Sequence, residues 1–226
     1  MERSARRLLL HCPGDAHMVL GMIADLRRDP KTAIQAHAHA LQYGRTPVRV
    51  INYAGTLGRF HRPHEGLEQL MSLFEGELGM TDPLALLQAI RTAHSAGRFH
   101  QAAAFLAKYR QMALPEEADI TAIGATLPAL VDAANVLELT DDAMAAIQES
   151  AWQAIREEDP SGRLDVRITD RVLPYEGLYI SRTYWLPISP EEGYAVNDRM
   201  IEIWAASDNP PSIDDFCPVI RGRSAA

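Results

Sequence analysis

Gly58-Arg59-Phe60-His61 and Gly97-Arg98-Phe99-His100 are the same four residues met twice, 39 positions apart. Each copy stands between two stretches whose apolar residues recur at helical spacing. The repeated string therefore reads as an inter-helix turn, and its recurrence predicts stacked antiparallel helical hairpins. Leu67, Leu70, Met71 and Phe74 follow the first copy on one helical stripe, and Leu84, Leu87 and Ile90 precede the second. Proline falls where a helix tolerates it best, in the first turn after Asp29, Thr46, Arg62 and Asp82, so each of these residues marks a start.

Outward from these turns the helical pattern extends from Asp15 to about Glu158. Gly44, Gly58 and Gly97 serve as stops, and Thr140-Asp141-Asp142 as a late start. Pro128 falls inside an apolar stretch over 116–138, where its missing N–H predicts a kink or a split. Past Asp159-Pro160-Ser161-Gly162 the period changes to two. Leu164, Val166 and Ile168 alternate with polar residues, and Leu178, Ile180, Arg182, Tyr184 and Leu186 alternate with Tyr179, Ser181, Thr183 and Trp185, joined by a turn at 173–177. Ser189-Pro190-Glu191-Glu192 is a capping-box helix start, Asn209-Pro210-Pro211 ends that helix, and Phe216–Ile220 reads as a third strand. The expectation is a mostly α chain: a helical-hairpin domain over 1–159, stacked or as an irregular bundle, then a small β-β-α-β tail over 160–226. About 65 residues is a marginal size for an independent core, so the tail is expected to lean on the helices or on a partner.

The second copy, Gly97-Arg98-Phe99-His100-Gln101-Ala102, resembles the turn of a tetratricopeptide repeat, with glycine, an aromatic two later and alanine five later. The resemblance covers roughly residues 16–114 as three hairpins. The period departs from the roughly 34 residues of that family, and Pro63 stands where the first copy needs alanine. The resemblance implies a concave face that binds a peptide or another protein, and no chemistry.

Composition narrows the function. Of the 226 residues 47% are apolar and 23% charged, an ordinary globular balance. Residues 1–115 carry 14 basic and 9 acidic side chains and residues 116–226 carry 8 and 21, giving +5 and −13. An acidic chain without a basic cluster argues against nucleic acid, and no apolar run approaches the roughly 20 residues that cross a bilayer. Arg3, Arg6 and Arg7 before Leu8-Leu9-Leu10 imitate a leader, but the apolar stretch is too short, and a helix or strand start is the reading. With only Cys12 and Cys217, no disulfide framework exists and a cytoplasmic setting is expected.

All eight histidines lie in the first hundred residues. His11, Cys12, Asp15 and His17 lack the spacing of a metal site, and His37 and His39 point apart on a helix. His61 and His64 flank Pro63 and can converge; His100 reads as structural. Glu157-Glu158-Asp159 and Asp214-Asp215 are either paired carboxylates or a charged helix end and a solvated loop, the simpler account. Tyr175, Tyr179, Tyr184 and Trp185 read as sheet packing rather than a stacking platform. No cofactor and no metal are expected. Arg45 and Arg49, placed i, i+4 on one helix, with Arg59 and Arg62 beyond, either pair with Glu65 and Glu68 or face one groove that clamps the carboxylates of an acidic partner. Two functions follow. One is a scaffold binding a protein or peptide through Arg45, Arg49, Arg59, Arg62, His61 and His64, with a homodimer through the tail. The other is a small-molecule binder or enzyme with its site between helices and tail.

Overall fold

The computed structural model describes residues 2–75, 81–174, 178–207 and 215–223. It holds ten helices and three strands: α1 (Glu2–Leu8), α2 (Pro13–Leu26), α3 (Pro30–Gln42), α4 (Pro47–Arg59), α5 (Pro63–Phe74), α6 (Pro83–Ser95), α7 (Phe99–Gln111), α8 (Ala118–Val136), α9 (Asp141–Glu158), β1 (Arg167–Pro174), β2 (Leu178–Leu186), α10 (Pro190–Ala205) and β3 (Phe216–Gly222). The chain is mostly helical with a small sheet near its C-terminus. Among the described residues no single helix is long and apolar enough to cross a membrane.

Six helices begin on proline, whose fixed φ suits a first turn and whose missing N–H costs nothing there. Side chains complete the caps. Asp29 accepts from the Thr32 N–H, Asp82 from those of Leu84 and Ala85, and Thr140 from that of Ala143. Ser189 and Glu192 form the expected capping box. Pro128 neither splits α8 nor ends it: the helix runs 19 residues through it. Leu127 and Leu130 on either side are fully buried, so packing outweighs the local loss.

The two Gly-Arg-Phe-His strings are not equivalent. In the first, Gly58 and Arg59 close α4 and the left-handed turn residue is His61 at φ 60°. In the second, Gly97 itself takes φ 75° and Phe99 opens α7. Identical residues thus serve two different turns, because only one copy puts glycine at the position that needs it.

In the sheet β2 is central. β1 pairs with it antiparallel, and β3 pairs parallel after the α10 crossover. Of the turn expected at 173–177, residues 173 and 174 end β1 and residues 175–177 lie outside the described residues, as do the helix stop at 209–211, Tyr175 and Asp214. The main core gathers residues of α4 to α9 together with Ile180 and Phe216 of the sheet. A second cluster packs Trp152 and Ile155 of α9 against Tyr184, Leu186, Val196, Met200 and Ile220. The sheet is therefore covered by α9 and α10.

Along the outer edge of β3, the chain's own residues meet part of the backbone. Ile220 donates its outward N–H to Asn197 Oδ1 at 2.9 Å, and at Pro218, two residues earlier with the same orientation, there is no N–H to offer. Beyond them, Gly193 of α10 packs directly on the Gly222 backbone.

Within the hairpins, His37 is buried. It meets Thr56 Oγ1 at 3.1 Å, and Thr56 donates to Asp25, which Arg59 also binds. A side chain on Gly21 would meet the His37 ring at 2.6 Å. Gly21→Ala is expected to cost about 1–3 kcal/mol by forcing that ring from its place. An unchanged urea midpoint would show the ring free to move.

Candidate functional site

The four arginines do not share a groove. Arg45 precedes α4 and binds Ser72 Oγ at 2.8 Å and Gln69 on α5. Arg49 pairs with Asp15 at 2.9 Å and donates to the carbonyls of Tyr43 and Gly44, the orphan acceptors past the end of α3. Arg59 binds Asp25, and Arg62 binds Glu65 at 2.9 Å, one of the pairings the sequence offered. Each guanidinium has found a nearer acceptor, which scatters the four over different faces.

His61 and His64 do not converge either. Arg62 and His64 line a cavity of about 360 Å³ with Arg98, Arg156 and Glu149. His64 Nε2 lies 3.3 Å from the Glu149 carboxylate without an aligned hydrogen bond. Burial, then Arg98, Arg156 and Arg182, push its pKa down to about 4, so it is neutral at pH 7.

Arg59 and His61 belong to a larger cleft of about 650 Å³ between the helices and the start of the tail. One wall is α4, through Gly55, Gly58 and Arg59; a second is α6, through Gln88, Arg91, Thr92 and Ser95. The third is the segment 162–166 with Ile168 of β1. Arg28 reaches in from the α2–α3 turn, fixed by its bond to the Gly162 carbonyl at 2.6 Å. Four arginines thus line the cleft, with Asp165 as the lone acidic lining residue. Arg59 and Arg91 are already engaged, Arg91 with Glu117 and Asp119. Among the described residues Arg28 has no carboxylate partner, and the exposed Arg163 side chain has no partner.

Gly55 and Gly58 distinguish this wall. Glycine in a helix costs about 1 kcal/mol relative to alanine, so it needs a reason. At Gly21 and Gly124 packing supplies one, since a Cβ would meet His37 or Arg110 at 2.6 Å. At Gly58 a Cβ would meet nothing within 4 Å, and at Gly55 only Gln88 at 4.0 Å. The space in front of them is open, and it is the cleft.

His61, only 3% exposed, lines this cleft with its ring stacked on Trp152. Its Nε2 meets Asp159 Oδ2 at 3.1 Å, and its carbonyl accepts from Arg156 at 2.7 Å. Asp159 is no solvated helix end: it is buried and also accepts from the Leu164 N–H at 2.7 Å and Ser161 at 3.0 Å. Burial alone would raise its carboxyl, but these donors outweigh burial and hold its pKa down at about 2.

A second buried network stands behind the cleft. Arg182 on β2 is fully buried, with Nε 2.6 Å and Nη2 2.9 Å from the Asp170 carboxylate on β1. It also donates to the His94 carbonyl at 2.7 Å and to Gln148, whose Oε1 accepts from Tyr184 as well. Arg182 thereby neutralises the C-terminal end of α6, while Trp152 donates to the Ser95 carbonyl at 2.9 Å. This network ties the sheet to the helices.

Among the described residues no three histidine, cysteine, aspartate or glutamate side chains gather as a metal site requires. Compared with protein-family models, curated proteins and solved structures, the chain matches none, so the reading of the cleft rests on its own residues.

Proposed function

We propose that this chain is a binding protein for a small oxyanion-bearing ligand, held in the cleft between α4, α6 and the segment 162–166. The observation that carries this reading is the pair of helical glycines with open space in front, facing a cleft ringed by arginines. Nothing in the protein's own packing requires Gly55 or Gly58, whereas a ligand lying against α4 does. Arg28 and Arg163 supply uncommitted guanidinium donors, whose planar forks suit carboxylate or phosphate. A volume of about 650 Å³ is that of a small-molecule site. Leu164, Val166 and Ile168 give the ligand an apolar side to lie against.

Isothermal titration with succinate, tricarballylate and inorganic pyrophosphate at low ionic strength tests this. At least one is expected to bind, at least tenfold more weakly to Arg163→Glu and not at all to Gly58→Leu. Because a Cβ at Gly58 meets nothing within 4 Å and leucine favours the helix, Gly58→Leu should unfold no earlier than the parent. No binding, or binding indifferent to both substitutions, would overturn the proposal.

One observation favours a second reading, an acidic peptide along a tetratricopeptide-like stack. The first helices of successive pairs, α2, α4, α6 and α8, start at residues 13, 47, 83 and 118, intervals of 34, 36 and 35. The cleft lies on two of them, α4 and α6. Fluorescence anisotropy of a labelled hexaglutamate separates the two: its binding where the small anions fail would move the assignment to the peptide.

A further inference from the structure

Resting on the oxyanion-cleft reading, we propose that the ligand is a hydroxy acid, its hydroxyl donating to His61 Nδ1 and its carboxylates facing the arginines. The assignment follows from the protonation geometry of the His61–Asp159 pair. Asp159 is ionised and only accepts, so the proton of the neutral imidazole must sit on Nε2, which points at that carboxylate. Nδ1 is then left with a lone pair and can only accept. It has no partner among the described residues, yet it is not sealed from solvent as His37 Nδ1 is. Since Asp159 is buried behind the ring and His61 lines the cleft, the accepting edge is the one a ligand meets.

The ring is also held as a site residue must be. Trp152 stacks on it with planes 10° apart, Arg156 holds its carbonyl, and Asp159 is fixed in turn by Leu164 and Ser161. A donor is therefore wanted beside the oxyanion. Among arginines an ammonium would be repelled, so a neutral hydroxyl fits better. His61 is a binding residue in this scheme, and Asp159 a positioning residue that fixes its tautomer.

Malate and succinate differ by that one hydroxyl. Malate is expected to bind the wild-type protein about tenfold or more tightly than succinate, because a site built to accept a hydroxyl loses that bond with succinate. His61→Phe keeps a ring against Trp152, removes the accepting Nδ1, and should abolish the preference. Should that variant not fold, nitrogen-15 NMR of the wild-type histidine side chains still decides, since the proposal requires the Nε2–H tautomer for His61. Equal affinities, or an Nδ1–H tautomer, would overturn the hydroxy-acid assignment and leave the oxyanion cleft standing. So would binding of pyrophosphate with neither dicarboxylate. Absence of any oxyanion binding would overturn the underlying reading as well.

Discussion

Asp170→Ala should destabilise this protein by about 3–5 kcal/mol, a large fraction of the roughly 5–15 kcal/mol stability of an ordinary domain. The substitution leaves Arg182, 0% exposed, with a full positive charge and no counter-ion. Arg182 cannot escape to water, because it is held over the Phe99 ring with its centre 5.0 Å from the ring centroid and is bonded to the end of α6. It does not lose its proton either, because a guanidinium is so basic that it stays charged even in a buried site. Arg182→Met should cost a similar amount, since Asp170 is then buried alone and the His94 carbonyl loses its donor. Combined with Asp170→Leu it should cost no more than the worse single change, because two apolar side chains leave no orphaned charge. Thermal unfolding followed by circular dichroism gives the full cycle, with a fall of about 6–20 °C for each single variant. A loss below about 1 kcal/mol for Asp170→Ala would mean that Arg182 reaches solvent, and the account of sheet docking would fail.

This pair also shows what was legible in the sequence. Alternation in the second strand puts Ile180, Arg182, Tyr184 and Leu186 on one face, and all four are buried. A charge on an apolar face demands a partner. Asp170 continues the parity of Val166 and Ile168, and the register sets it directly opposite Arg182. The signal was present as two misfits of opposite charge, but pairing them requires the register, which falls to the turn. The helices were legible for a simpler reason: proline, caps and apolar spacing act within a few residues of one another. The cleft was not. His61 and Asp159 are 98 residues apart, and Arg28 meets Gly162 across 134. Proximity in sequence drew Arg45, Arg49, Arg59 and Arg62 into one expected group, whereas the fold hands each a different acceptor. Gly58 was read as a helix stop, a reading it shares with glycines that have no other purpose; only the open space before it separates the two.

Acid should unfold this protein before its carboxylates titrate. Burial pushes the pKa of His37 down to about 4, and burial, then the arginines around it, does the same to His64. His37 Nδ1 is sealed without a hydrogen-bond partner, so an added proton there would have no acceptor, and His64 Nε2 has only the unaligned Glu149 carboxylate 3.3 Å away. His61 and His94 are lowered too, burial again being the main cause, against the pull of Asp159 and Asp170. All four bind protons more readily in the unfolded chain, where the ordinary value is near 6.5. Between about pH 6.5 and 4 the unfolded state thus carries more protons, and stability falls as pH falls. The contribution of each histidine is complete above the unfolded value and is lost on approach to the folded one. For His37 and His64 the loss is about 3 kcal/mol each, and together they approach the stability of a typical domain. Asp159 acts lower down: with a folded pKa of about 2, its contribution is intact above about pH 4 and is lost only as pH falls towards 2. Urea unfolding at steps from pH 7.5 to 4.5 should show stability dropping steeply below pH 6.5, and His64→Gln should flatten that slope. A constant unfolding free energy from pH 6.5 to 4.5 would require these rings to be solvated in the native state, contrary to the packing that seals them.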